Sequence, residues 1–298
     1  MNAQPLISII IITHNRKKIL GEAIDSVLLQ RYPHAEVIVI DNASTDGTVA
    51  WVQEHYPSVR VIRSEENRGV SGGRNIGIRE SSGAYIVNLD DDAEFAEPTA
   101  LERIAEIFAQ DEQLAVVSFR IENYVTRALT FSELPGPDLS MADREFETSY
   151  FLGGASVLRR TALETAGEFE ESYMYGPEEV EMGYRIIEAE GRILFTPHIV
   201  VLHKASAEAR PSGRWYQFNL RGRFILTLKN LPWLPALVHL ATWIVYIFIK
   251  ALFSGNVRYF LLGMRDGLGL TPDLLRRRRP VTWKTIRKLQ SLYGRVWW

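Results

Sequence analysis

Three consecutive carboxylates, Asp90, Asp91 and Asp92, follow directly on the apolar segment YIVNL at 85–89. At the end of a buried strand, adjacent anions repel one another and lose solvation. Such a cluster persists where a cation or hydrogen-bond donors compensate it. Hard oxygen ligands with room for phosphate suit Mg2+ or Mn2+; a solvated acidic turn is the alternative for an isolated Asp-Asp-Asp. A second acidic group, Glu178-Glu179-Val180-Glu181, follows Pro177 ahead of a helix-like segment. Acids there complement the helix dipole, and Glu181 stands four residues before Arg185, the spacing of an on-helix ion pair. His203 closes the apolar run at 199–202. An imidazole in that place is a packed or capping residue, or a further metal ligand.

These groups need elements that gather them. Residues 6–12 form a continuous β-branched run, and 17–30 place Ile19, Leu20, Ala23, Ile24, Val27 and Leu28 at helical intervals. The alternation continues with a strand at 36–40, a helix at 48–55, a strand at 59–62, a helix at 73–81 and a strand at 84–89, then a helix at 101–109 and a strand at 114–119. Wholly apolar strands alternating with helices predict an α/β domain with a mostly parallel sheet covered on both faces. Ligands of such sheets bind beyond the carboxyl ends of the strands. Polar residues gather there: Thr13-His14-Asn15 after the first strand, 41–46 after the second, Asp90 to Asp92 after the fourth. Ser44 or Asp46 alone reads as a helix N-cap; their joint placement predicts a nucleotide site. The glycine-rich stretch NRGVSGGRN at 67–75 approaches a helix and could bring backbone N–H groups and Arg74 toward a diphosphate. It lacks the Lys-Ser/Thr of a P-loop and the form of a dinucleotide fingerprint. Gly153 and Gly154 allow either close approach of a substrate or a strand bulge. Residues 120–150 carry no legible chemistry.

With 298 residues, 46% of them hydrophobic, the chain can bury the core of one large domain or two smaller ones. The absence of cysteine excludes disulfides, thiol nucleophiles and cysteine-ligated zinc. The net charge of −2 hides a split: residues 1–210 hold 19 Lys and Arg against 34 Asp and Glu, whereas 211–298 hold 15 against 2. This predicts a domain at 1–210 and a basic, apolar helical region at 211–298 with a different partner. A basic tail attracts nucleic acid, anionic lipid or the acidic part of its own chain; its interleaved apolar residues favour lipid over nucleic acid. Between Lys229 and Lys250 lie 20 residues without a formal charge, 15 of them apolar. As a helix they reach about 30 Å, a bilayer core, with Pro232 and Pro235 expected to trim the start. Basic residues flank both ends, so one crossing would leave cations on the outer side. An interfacial or re-entrant helix pair on the cytoplasmic leaflet is expected instead, with a buried homodimerisation helix as the alternative. The run at 6–12 has its positive charges after it, the reverse of a secretory leader.

Taken together, SIIIITHN (8–15), DNASTDGT (41–48), NRGVSGGRN (67–75), LDDD (89–92), GEFEE (167–171), EEVE (178–181) and His203 resemble family 2 glycosyltransferases over about residues 6–205, in order and in spacing. The resemblance implies one nucleotide-diphospho-sugar-binding domain of the GT-A type, dependence on Mn2+ or Mg2+, and inversion at the anomeric carbon. Carried over by position, Thr13, Asn15 and Asp41 line the nucleoside, Asp90 lies near the ribose or diphosphate, Asp92 binds the metal, and His203 is a further ligand. The family supplies its general base as the Asp of a Glu-Asp pair. The matching residue here is Glu179, with Glu178 next in line, and Glu181 takes the place of a later Asp on the acceptor side, where Gly153 and Gly154 are also expected. The longer glutamate must still reach the acceptor hydroxyl. By the same resemblance the donor is a UDP- or dTDP-sugar and the acceptor a glycan or a lipid-linked sugar, in a rhamnosyltransferase-like step of surface polysaccharide synthesis. Two other readings stay open. A sugar nucleotidyltransferase would carry its glycine-rich loop after the first strand, where this chain has Thr13-His14-Asn15; a catalytically silent sugar-nucleotide-binding or scaffold protein would use its glutamates only as a helix cap.

Overall fold

The computed structural model of the chain describes residues 4–204, 213–294 and 296–297. Its first part alternates β1 (Ile7–Thr13), α1 (Lys17–Leu28), β2 (Ala35–Asp41), α2 (Thr48–His55), β3 (Arg60–Arg63), α3 (Gly69–Glu80) and β4 (Tyr85–Asp90). There follow β5 (Ala93–Phe95), α4 (Ala100–Gln110), β6 (Leu114–Asn123), β7 (Phe146–Glu147), β8 (Ala155–Arg159), α5 (Arg160–Ala166), α6 (Glu178–Glu188) and β9 (Arg192–His203). Four helices complete the described chain: α7 (Arg214–Asn230), α8 (Trp233–Phe253), α9 (Val257–Arg276) and α10 (Trp283–Ser291).

Among the described residues the sheet runs β3-β2-β1-β4-β8-β6-β9-β5, with β7 beside β9. β1 is parallel to β2 and β4, and β6 to β9; β8 lies antiparallel between β4 and β6. Two reversals at β8 restore the original direction. The carboxyl ends of β1, β2, β4 and β9 therefore share one edge, which is how His203 reaches the aspartates.

The β1 isoleucines explain the absence of polar alternation. Ile7, Ile9 and Ile11 enter one apolar layer with Leu20, Ile24, Leu101 and Phe108, while Ile10 enters the other with Ile78, Met182 and Ile186. Both faces are covered, so both sets of alternate residues are apolar apart from Ser8, whose hydroxyl donates to Glu36, each buried isoleucine contributing roughly 1.5–3 kcal/mol.

Helix α3 begins at Gly69, earlier than the expected residue 73. A Cβ at Gly73 or Gly77 would stand 2.9 Å or 2.5 Å from Cγ2 of Ile12 or Ile10. The missing side chains let α3 lie directly on β1. The glycine spacing thus serves helix-to-sheet packing as well as the turn.

The C-terminal helices are fastened to the second layer, where Leu226, Leu231, Val281, Ile286 and Leu289 join Met182 and Ile186. Pro232 stands just before α8 and Pro235 inside its first turn, where backbone N–H groups have no intrahelical partner. The helix accordingly starts directly after Pro232, the trimming expected there, while Pro235 is accommodated within its first turn. Part of the basic tail is neutralised by the chain's own acids: Lys229 Nζ lies 2.6 Å from Glu170 and 3.2 Å from Glu181, and Arg277 Nη1 lies 2.8 Å from Glu170.

Burial alone would raise the Glu170 carboxyl, but hydrogen bonds from Lys229, Ser172 and Arg277 hold it at about 2, against an ordinary value of 4.5. A depressed carboxyl stabilises the fold above its unfolded pKa, and that stabilisation is lost as pH falls toward the folded value. Up to about 3 kcal/mol is at stake. Urea midpoints of the native chain and of Glu170→Gln are expected to differ clearly at neutral pH and to converge as pH falls from about 4.5 toward 2. A constant gap would dissociate Glu170 from the effect.

Candidate active site at the carboxyl edge of the sheet

β4 ends at Asp90, and the chain then turns into β5, whose Ala93 pairs with His203 of β9. The turn delivers the three aspartates to three environments. Asp91 is buried, accepts from Thr13 Oγ1 at 2.7 Å and pairs with Arg16 Nη1 at 2.5 Å. Burial pushes its carboxyl up to about 7, with Arg16 and Thr13 pulling the other way. Asp92 pairs with Arg16 Nη2 at 2.7 Å and with His203 Nε2 at 3.3 Å. Burial opposes ionisation there too, yet His203 and Arg16 hold it well below the usual carboxylate range. Asp90 is half-buried, and its backbone N–H donates to the Gly154 carbonyl at 3.1 Å.

His203 Nδ1 faces Glu133 Oε1 at 3.2 Å. Against the effect of burial, Asp92 and Glu133 raise its pKa to about 10. Asp90, Asp92 and His203 each offer a ligand atom, all within 4.8 Å of one another. Two carboxylate oxygens and one imidazole nitrogen suit Mn2+ or Mg2+. A metal ligand must be a neutral imidazole, so a cation held here would displace the proton that Asp92 and Glu133 favour on the ring, with Glu133 placed to orient it.

At the ends of β1 and β2, where a nucleoside was expected, Asp41 is fully buried, receives the Ser44 N–H at 3.3 Å and lies 3.8 Å from Arg63 Nε. Asn15 takes a positive φ of 56° and accepts from the Thr45 N–H at 2.7 Å, tying the loops after β1 and β2 together. Thr13 is at the expected place, but its hydroxyl is turned inward to Asp91 rather than offered to a ligand. Asn42 accepts from the Arg68 N–H at 2.9 Å and donates to the Gly69 carbonyl at 3.0 Å, fixing the entry to α3.

On the opposite side, Pro177 precedes α6 and puts Glu178, Glu179 and Glu181 into its first turn. Arg74 does not extend from the glycine-rich turn into open space. It is buried, with Nη1 3.4 Å from both Glu178 and Glu179, and its guanidinium lies 5.4 Å from the Phe169 ring centroid. Glu178 is buried, and its Oε2 has no hydrogen-bond partner among the described residues; burial and the neighbouring Glu179 raise its pKa well above the ordinary value. Glu179 keeps 19% of its side chain exposed. Glu181 does not join the acceptor side: fully buried, it is held by Arg185 at 2.7 Å, Lys229 at 3.2 Å and Asn230 at 2.8 Å.

Gly153 and Gly154 join the two halves. A Cβ on Gly153 would collide with Glu179 Oε1 and the Arg74 guanidinium, and one on Gly154 with all three atoms of the Asp90 carboxylate. Adjacent residues, about 3.8 Å apart at Cα, therefore touch the proposed metal side and the glutamate side. Neither a bulge nor substrate approach alone explains the pair. Gly154→Ala is expected to displace Asp90 and to cut turnover about 100-fold while costing about 1–3 kcal/mol of stability; steady-state kinetics beside thermal melts checks this, and unchanged turnover would dissociate Asp90's position from catalysis.

The same fold occurs in known proteins. A model of glycosyl transferase family 2 matches residues 8–167, more than half of the chain. The chain belongs to that family. Among family 2 relatives, chondroitin synthase of Escherichia coli is 40% identical over 116 residues, which are 38% of this chain and only 17% of the synthase. The fold matches a mannosyltransferase of Pyrobaculum calidifontis solved with GDP-Man and Mn2+ (TM-score 0.61, 20% identity, 97% of this chain and 80% of that one). It also matches GalNAc-T7 solved with UDP, GalNAc and Mn2+ (TM-score 0.66, 17% identity, 80% and 50%). These likenesses show the expected GT-A fold. The family match ends before Glu178, Glu179 and His203, so those residues rest on geometry.

Two contributors were missed from sequence. Arg16 bridges Asp91 and Asp92 yet stood out only as a charge after an apolar run. Glu133 lies in the stretch 120–150, which offered no pattern to read.

Proposed function

We propose that this family 2 member is a metal-dependent inverting glycosyltransferase, moving a sugar from a UDP- or dTDP-sugar to a glycan or lipid-linked acceptor in polysaccharide synthesis at a membrane surface. The observation that carries the reading is the convergence of Asp90, Asp92 and His203 within 4.8 Å, next to a glycine pair whose other side meets Glu179. In this reading residues 1–210 form the transferase domain and 211–298 its helical support. Asp90, Asp92 and His203 hold Mn2+ or Mg2+, which neutralises charge on the diphosphate when bound.

The chain's own groups do the rest. Asp41 and Asn15, fixed by the loop contacts after β1 and β2, present the nucleoside pocket, and Thr13 with Arg16 holds Asp91 and Asp92 in place. Glu179 accepts the proton of the acceptor hydroxyl as that oxygen bonds to the anomeric carbon and the bond to the diphosphate breaks. Glu178, with 3% of its side chain exposed against 19% for Glu179, is the less accessible of the two to an acceptor hydroxyl. Arg74 holds both glutamates and limits their repulsion.

The test is a panel of nucleotide sugars, rhamnosyl donors included, scored first by thermal shift with Mn2+, Mg2+ or EDTA and then by nucleotide release. Metal-dependent stabilisation followed by release of the nucleoside diphosphate supports the reading. Binding without release under any acceptor condition would leave a silent binder, and pyrophosphate release from a nucleoside triphosphate would make it a nucleotidyltransferase.

A further inference from the structure

Helices α8 and α9 expose apolar side chains where a soluble surface is ordinarily polar. On α8, Leu234, Leu237, Val238, Val245, Ile249 and Leu252 are 40–61% exposed and recur at intervals of one to seven residues that keep one face. Only 22% of the helix's most apolar stretch is buried. The outer face of α9 alternates Arg258, Leu261, Arg265, Leu268, Leu275 and Arg276. Phe248 packs on Phe260 with ring centroids 5.2 Å apart, setting the two helices side by side at their turn.

The inner face of α8 is built into the protein. His239 is fully buried, lies 3.2 Å from Arg223 Nη1 and 3.0 Å from the Val296 carbonyl, while Ile247 and Ala251 pack with Leu220 and Phe224 of α7. A crossing would put this polar contact into hydrocarbon. One side only is free for lipid.

Charge selects the occupant. Arg258, Arg265 and Arg276 on the outer face of α9 would be set against those of a second copy docked by a two-fold on the same face. Anionic headgroups complement them. Arg265 and Arg276 also touch Asp266 and Asp273, at 2.9 Å and 3.5 Å, but remain 72% and 77% exposed. Trp233, Tyr246 and Trp283 are about half exposed, and such amphipathic rings favour the headgroup level.

We propose that α8 and α9 dock the protein in plane on an anionic bilayer, with the outer face of α8 entering the acyl boundary and the arginines of α9 on the headgroups. This docking face is separate from the catalytic cleft, and the inference stands whether or not the chain transfers sugar. It deepens the membrane reading, because α7 carries the face on one side and grips Glu181, one turn after Glu178, through Lys229 and Asn230 on the other.

The test is flotation of the full chain with vesicles of phosphatidylcholine, alone or with phosphatidylglycerol. The native chain is expected to float with the anionic vesicles and about tenfold less with the neutral ones. Leu237→Glu with Val245→Glu, both on the surface, is expected to lower vesicle binding about tenfold or more while nucleotide release in solution is unchanged; Arg258→Glu with Arg265→Glu is expected to remove the preference for anionic lipid. A native chain that stays in the soluble fraction with both vesicles overturns the proposal. So does a lipid-free dimer that the Leu237→Glu, Val245→Glu variant turns into monomer, because a second copy would then be the occupant. Loss of nucleotide release with vesicle binding intact would strike the transferase reading alone.

Discussion

Glu179→Gln is expected to lower transfer by about 10²–10⁴-fold, the span general-base catalysis ordinarily contributes, with nucleotide-sugar binding within about threefold of native as judged by thermal shift. The amide keeps the shape beside Gly153 and can still approach Arg74, so packing is retained. What it loses is the basicity of the carboxylate that takes the proton. Glu178→Gln is the informative partner. Glu178 is buried, with 3% of its side chain exposed against 19% for Glu179, so it is the less accessible to an acceptor, and an amide keeps its shape. Its transfer rate is expected to stay within about tenfold of native. A Glu178→Gln enzyme that is dead, beside a Glu179→Gln enzyme at near-native turnover, would exchange the two roles. The prediction concerns kcat far more than KM, because a base on the acceptor side adds little to donor affinity.

The sheet was legible because β1, β2 and β4 are covered on both faces, which makes each a largely apolar run broken only by Ser8, Glu36 and Asn88 before its terminal residue. β8 was not legible as the strand that joins β4 to β6. Its five residues run antiparallel, and pairing between distant segments leaves no periodicity. The start of α3 was misplaced for a local reason: the helix opens on glycines chosen for close packing on Ile10 and Ile12. α8 tolerates Pro235 because first-turn N–H groups need no intrahelical partner. The loop-end residues of the candidate site were readable because each closes an apolar run. The partners that set their chemistry were not. Arg16 reaches Asp91 across 75 residues, His203 meets Glu133 across 70, and Arg74 meets Glu178 across 104. Arg74 stands beside a glycine run and so suggested a phosphate, whereas folding delivers it to two glutamates. Glu181 matched a motif position but is held by Arg185, the on-helix pair its spacing had suggested, and by Lys229 and Asn230, which only the packing of α7 on α6 brings to it.

Asp92→Asn is expected to abolish the thermal shift given by Mn2+ with a nucleoside diphosphate, to weaken apparent metal affinity by about 100-fold or more, and to lower transfer about 10³-fold. The reason lies in the division of labour at the edge of the sheet. Asp92 is ionised against burial because Arg16 and His203 face it, so its charge is present before any cation arrives. An amide offers one neutral oxygen in place of that anion and leaves His203 paired with Glu133 alone. The fold should survive, since Arg16 keeps Asp91 at 2.5 Å and the amide can still accept from it; melts without metal or nucleotide check this. Asp91→Asn is the control, because Asp91 faces Thr13 and Arg16 and is absent from the 4.8 Å cluster. Its effect on metal affinity is expected to stay within about tenfold, on the scale of an outer-shell change. Equal loss of metal affinity in both variants would mean that the cluster's net charge binds the cation. Loss confined to Asp92→Asn would mean that Asp92 binds it as a ligand, together with the carboxylate of Asp90 and the ring nitrogen of His203 once its proton has left.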